Sequence, residues 1–92
     1  MELRWSMPAA EDLERICEWI ERDNPEAARR VAQTIYEGCA SLKDFPYRGR
    51  PSSRAAGQRE LVFPPLPYIA VYHVTEHAVE ILIIFHGAQE RP

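Results

Sequence analysis

The sequence predicts an α+β fold: an N-terminal strand, then an antiparallel helical hairpin packed on a curved, mostly antiparallel four-stranded sheet, in the order β-α-α-β-β-β. Three observations carry this. Two amphipathic stretches with capping residues follow each other with only a two-residue break. A turn-rich loop then separates them from three β-type segments. The last of these, around Ile81-Leu82-Ile83-Ile84-Phe85, is apolar on both faces, so it belongs inside the sheet under the helices.

Glu2 to Trp5 alternates polar and apolar residues, with Leu3 and Trp5 on one face, as in a short strand. Ser6 can cap a helix, and Pro8 falls in its first turn, where a missing N–H costs nothing. Leu13, Ile16, Cys17 and Ile20 recur at helical spacing, so the first helix spans about 8–23. Asp23-Asn24-Pro25 ends it. Asn24 caps the next helix, Pro25 opens it, and Glu26 suits its positive end. Ala28, Val31, Ala32, Ile35, Cys39 and Leu42 mark its apolar stripe to about Lys43. The small residues at 28 and 32 let the two helices approach closely.

Residues 44–58 form a loop rich in turn residues, and strands follow at about 59–63, 68–74 and 79–85. Pro64, Pro65 and Pro67 are expected to prevent a regular ladder between the first two of these strands. Thr75-Glu76-His77-Ala78 is a hairpin connection.

The 92 residues suit a single domain, 1–92, with no repeats. The longest apolar run is far too short for a membrane span, and Arg4 followed by an acidic helix does not resemble a signal peptide. A cytoplasmic location without membrane contact is expected. Cys17 and Cys39 lack metal-ligand spacing and read as buried thiols. No metal site and no cofactor motif appears.

Charge is uneven. Residues 1–44 carry a net −4, residues 45–60 a net +3 from Arg48, Arg50, Arg54 and Arg59 against Glu60, and residues 61–92 a net −2. One basic segment on an acidic body argues against general binding of nucleic acid.

The candidate polar constellation joins that loop to the strand ends: Arg48, Arg50, Arg54, Arg59, Glu60, Tyr68, Tyr72, His73 and His86. Arg59 and Glu60 are adjacent on a strand and point to opposite faces. Arg59 is either an anion contact or a tie between loop and sheet. Arg48, Arg50 and Arg54 are either target contacts or a solvated basic loop. His86 closes the last strand before Gly87 and titrates near neutrality, which suits acid or base work; a strand-end histidine held by the backbone is the alternative. Tyr68 shares a face with Tyr72, and Tyr72 suits core packing. His73 and His77 read as surface residues. Trp19, beside the stripe of the first helix, covers the hairpin or belongs to a partner site.

Taken together, Ala9-Ala10-Glu11-Asp12-Leu13-Glu14-Arg15-Ile16, Asn24-Pro25-Glu26-Ala27-Ala28, Phe45-Pro46 with Gly49-Arg50-Pro51, Gly57-Gln58-Arg59-Glu60-Leu61, Pro67-Tyr68-Ile69-Ala70-Val71-Tyr72 and Ile81 to Gln89 resemble the RelE/ParE superfamily of bacterial toxins, nearer its ParE-like branch. The resemblance implies the toxin of a type II toxin–antitoxin module, causing growth arrest and neutralised by a cognate antitoxin, with DNA bound only through that antitoxin. It implies one of two activities. ParE-like members poison DNA gyrase by binding it. RelE-like members cleave mRNA on the ribosome without a metal, using basic side chains. Many relatives carry arginines where this chain has Ile69 and Ile83, which favours the gyrase reading. The ribonuclease reading would rest on Arg59 and His86 as catalytic residues, with Arg48, Arg50, Arg54 and Tyr68 on phosphate or target. The resemblance also leaves room for a degenerate, non-toxic member that still binds its antitoxin, with Trp19 as an antitoxin contact.

Overall fold

The computed structural model describes residues 1–89, so the tail Glu90-Arg91-Pro92 lies outside the described residues. The chain runs β1 (Glu2–Trp5), α1 (Met7–Glu21), α2 (Pro25–Ala40), a 3₁₀ turn (Ser41–Lys43), β2 (Arg50–Pro51), β3 (Arg59–Val62), β4 (Tyr68–Val74), β5 (Ala78–His86) and a final 3₁₀ turn (Gly87–Gln89). The sheet order is β1-β5-β4-β3-β2. β1 runs parallel to β5, and every other pair is antiparallel.

Both expected caps form. The Ser6 hydroxyl accepts the Ala9 N–H at 3.0 Å, and the Asn24 side chain accepts the Ala27 N–H at 3.0 Å. Each satisfies one amide that a helix start leaves without a partner. The helices pack on one face of the sheet. Val31, Ile35, Cys39 and Leu42 meet Leu61, Phe63, Ala70, Tyr72, Val79, Ile81 and Ile84 in one buried cluster. α2 contributes most of the helical core. On α1 only Ala9 is fully buried, while Leu13, Ile16 and Ile20 pack against the core from its margin.

Two expectations change. The sheet has five strands, not four, because Arg50 and Pro51 inside the expected loop pair with Glu60 and Arg59. The prolines do not interrupt the ladder. Pro64, Pro65 and Pro67 sit in the connection after β3, which turns through a Leu66 N–H to Phe63 carbonyl bond of 2.7 Å. Residues 59–62 then pair without a break with residues 69–72.

The irregularity falls one strand later. Val71 pairs with Ile83, but Tyr72 pairs with Ile81, so Leu82 is an extra residue in β5. This bulge lets Val79, Ile81 and Ile84 all face the helices, which strict alternation would forbid. It accounts for the unbroken apolar run of the last strand.

The other face of the sheet is covered partly by the segment after β2. The Arg54 guanidinium lies over the Phe85 ring at 4.8 Å, and Arg50 and Ser52 close over Glu60. Val71 and Ile69 are also buried on this face.

Candidate functional site

A concavity lies between α1 and the end of β5. It has a volume of about 590 Å³ and is lined by Asp12, Arg15, Ile16 and Trp19 from the helix and by Tyr68, Ile83, Ile84, Phe85 and His86 from the sheet. Its origin is local. β1 ends at Trp5, opposite Ile81, so β5 continues beyond it as an uncovered edge. Two side chains replace the missing strand there. The Ser6 hydroxyl donates to the Leu82 carbonyl at 2.8 Å, and an Asp12 carboxylate oxygen accepts the Ile84 N–H at 3.0 Å. The other Asp12 oxygen pairs with Arg15.

Trp19 stands 68 % exposed at this cleft, with the Arg22 guanidinium 5.4 Å from its ring centre. Tyr68 and His86 face each other across β4 and β5 and pack edge to face at 5.4 Å. His86 Nδ1 accepts the Ala88 N–H at 3.0 Å, which places the neutral ring's proton on Nε2. Burial raises the Tyr68 hydroxyl pKa, with a smaller contribution from nearby Cys17. The Cys17 thiol is itself raised by burial and then by Glu21.

The basic segment forms a second locality, and its arginines do not converge. Arg48 donates to the Ser41 hydroxyl at 2.7 Å. Arg50 pairs at 3.0 Å with Glu60, which is only 4 % exposed and also accepts from Ser52 at 2.9 Å. Arg54 lies on Phe85. Arg59 turns back to the loop before β2. Its Nε and Nη2 donate to the Gly49 carbonyl at 3.0 and 2.7 Å, and Nη2 also reaches the Tyr47 carbonyl at 3.3 Å. The Tyr72 hydroxyl, fully buried, donates to Pro46 at 2.8 Å and accepts from Gly49 at 2.9 Å. A small recess of about 260 Å³ opens beside Arg59, lined also by Tyr47, Pro51, Gly57, Gln58 and Val74.

The sequence-derived residues therefore fall into separate groups. Tyr68, His86 and Trp19 line the α1–β5 cleft; Arg48 and Arg59 brace the loop before β2, while Arg50 and Arg54 lie on the other face of the sheet. Arg59 pairs across from Tyr72 and His86 from Tyr68, four residues apart on β4 and on its two opposite sides. His73 bonds Glu80 at 2.8 Å on the outer face, and His77 is exposed. Asp12, Arg15, Phe45 and Tyr47 are not among the site residues expected from the sequence, although Asp12, Arg15 and Phe45 lie in segments that carry the family resemblance. Asp12 carried no sequence signal beyond helical charge. Phe45-Pro46-Tyr47 did carry one: two aromatics in a loop that has no helical or strand face to bury them.

Residues 3–91 match the family model of the ParE toxin of the type II toxin–antitoxin system parDE. The chain is 39 % identical over 90 residues to putative toxin Y4kP of Sinorhizobium fredii, covering 98 % of this chain and 92 % of that protein. It is 38 % identical over 85 residues to toxin RelE2 of Caulobacter vibrioides, covering 92 % and 93 %. Among solved structures, the chromosomal ParDE system of P. aeruginosa superposes with a TM-score of 0.85 at 31 % identity, covering 94 % of this chain and 95 % of that one. The RelBE2 toxin–antitoxin complex of Mycobacterium tuberculosis shares the fold, with a TM-score of 0.66 at 23 % identity over 92 % and 95 % of the two chains. The sheet with its helical hairpin, the family match along nearly the whole chain and these relatives agree: the chain belongs to the ParE toxin family of type II toxin–antitoxin systems.

Proposed function

We propose that this toxin acts by binding a protein target, with DNA gyrase the first candidate, and that a cognate antitoxin neutralises it. The observation that carries this reading is the separation of Arg59 from His86. Their strand partners Tyr72 and Tyr68 stand four residues apart on β4, roughly 13 Å at about 3.3 Å per residue. General acid–base catalysis needs its groups within hydrogen-bond reach of one reacting centre. Arg59 also spends Nε and Nη2 on two carbonyls, which leaves one nitrogen where a phosphorane needs several donors, and the positions where many RNA-cleaving relatives carry arginine hold Ile69 and Ile83, the first of them buried. Such a site has little to offer a developing phosphorane charge.

Antitoxin binding is supported by the structural neighbours, which come from a ParDE system and a RelBE2 complex. The cleft beside Trp19 is its seat in this proposal, because it joins an exposed aromatic to a strand edge that no strand covers and that only the Ser6 and Asp12 side chains cap. The net charge of −3 leaves DNA contact to the antitoxin.

The test is induction of the toxin alone in a bacterial host, followed by assay of the purified protein with DNA gyrase. Filamentation, DNA damage signalling, intact transcripts and inhibition of supercoiling are expected. Cleavage of mRNA on ribosomes, lost in Arg59→Ala and His86→Ala, would replace this reading with the RelE-like one. Absence of arrest together with retained antitoxin binding would indicate a degenerate member.

A further inference from the structure

We infer that Phe45, Tyr47 and Arg59 form the target-contact face of this toxin, and that this face reads an acidic segment of a protein, one carboxylate entering the recess beside Tyr47 to pair with Arg59. The inference rests on the preceding reading that the toxin works by binding a protein, and it names the chemistry of the segment recognised.

Phe45 and Tyr47 are each 66 % exposed, though no helix or strand obliges the chain to display them. The backbone that carries them is tied at both ends and along its length. The Phe45 N–H donates to Ser41 at 3.0 Å and the Arg48 N–H to Phe45 at 3.1 Å. The carbonyls of Pro46, Tyr47 and Gly49 are all held, by Tyr72 or by Arg59. A backbone held before contact leaves only the aromatic side chains, with two rotatable bonds each, to be ordered on binding, and aromatic and arginine side chains dominate interface hot spots.

Arg59 supplies the charge. It lies 5.4 Å from the Tyr47 ring centre and borders the recess. Its Nε and Nη2 are engaged, which leaves Nη1 without a hydrogen bond among the described residues. Glu60 is the only carboxylate within residues 45–60, and it is turned to the opposite face of the sheet with Arg50. The guanidinium is thus half-buried, oriented and uncompensated.

The occupant follows from the charge balance. A nucleic acid would bring a row of phosphates against a body in which residues 1–44 alone carry −4. A protein segment offers one carboxylate to one guanidinium, with neighbouring apolar side chains to lie against Phe45 and Tyr47.

The experiment follows the Nε–Hε resonance of Arg59 and the amides of Tyr47 and Gln58 by NMR in the intact chain. The probes are acetyl-Glu-Phe-Glu-amide, its Gln-Phe-Gln counterpart, inorganic phosphate and a short oligothymidylate. Saturable shifts with the acidic peptide, absent with the glutamine peptide, are expected. Shifts with the oligonucleotide at lower concentration than with the peptide would overturn the inference in favour of a nucleic-acid face, as would shifts with phosphate alone. No shift with any probe would also overturn it. In parallel, Phe45→Ala and Tyr47→Ala are expected to weaken binding to gyrase at least about tenfold with unchanged melting temperatures; wild-type affinity in both would remove the face from target contact. If the wild-type toxin ignores gyrase while the acidic peptide still shifts Arg59, the gyrase reading fails and the acidic-segment site stands.

Discussion

Ser6 and Leu82 lie 76 positions apart and share a hydrogen bond of 2.8 Å that ties the start of α1 to the bulge of β5. The same hydroxyl accepts the Ala9 N–H. One oxygen therefore caps a helix and satisfies a strand carbonyl that the end of β1 leaves exposed. The Ser6 N–H adds a third tie, to Ile81 at 2.9 Å.

Ser6→Ala removes both side-chain bonds and leaves the Leu82 carbonyl partly buried without a partner. It is expected to cost about 2–3 kcal/mol. Asn24→Ala removes only an exposed cap and is expected to cost about 1 kcal/mol. Urea denaturation of the two variants gives the comparison; equal losses would show that the bond to the bulge contributes nothing.

Tyr72→Phe strips the partners from the Pro46 carbonyl and the Gly49 N–H together, an expected loss of about 2–4 kcal/mol. Gly49→Ala is expected to be worse. A Cβ there would meet the Glu60 carbonyl oxygen at 2.6 Å and the Tyr72 hydroxyl at 2.7 Å, and the first is backbone that cannot swing away. Gly57→Ala meets no neighbour but holds a φ of 81°, so its expected cost is only about 1–2 kcal/mol. Thermal melts should rank the three with Gly49→Ala lowest in stability and Gly57→Ala highest.

Arg50→Ala leaves the carboxylate of Glu60 buried with Ser52 as its remaining partner. An expected loss of about 1–3 kcal/mol follows, against about 0–0.5 kcal/mol for Arg4→Ala, whose pair with Glu2 is exposed on both sides. Equal chemical denaturation midpoints for the two variants would place Arg50 among ordinary surface residues.

Burial pushes the Cys39 thiol up to about 12 from an ordinary value of 9.0. Above pH 9 the unfolded chain loses this proton while the folded chain keeps it. The thiol's contribution is therefore complete below pH 9 and declines as pH rises toward 12, by at most about 1.4 kcal/mol per pH unit. Cys39→Ala is expected to flatten this alkaline limb, although its cavity lowers stability throughout. In the native protein, Cys39 should resist a thiol reagent that modifies it readily in urea; rapid native modification would contradict the packing around it.

The parts of the fold that local chemistry determines were legible from residues alone. Ser6 and Asn24 cap where their side chains and the following prolines indicate, and β4 and β5 lie within a residue of their expected bounds. Features fixed by distant partners were not. β2 is two residues long and carries Pro51, so nothing in its own sequence marks a strand; its pairing depends on Glu60, which holds Arg50 across the ladder. The prolines after β3 suggest a broken ladder because sequence spacing alone does not say whether they fall in the strand or in its turn. In the candidate site, the opposite orientation of Arg59 and Glu60 followed from strand alternation. The role of Arg59 as a brace for the loop at Gly49 did not, because its partners are carbonyls that every residue possesses.

The two outer strands give this sheet a property that concerns other copies of the chain. β2 stops after two residues, and its proline has no N–H to offer an incoming backbone; β1 stops after four and places Glu2 and Arg4 along its length. Both margins are poor templates for stacking one molecule's sheet onto the next. The apolar final strand is flanked on both sides only from Ala78 to Ile81; where it runs past β1, the Ser6 hydroxyl and the Asp12 carboxylate occupy the Leu82 carbonyl and the Ile84 N–H that an added strand would need.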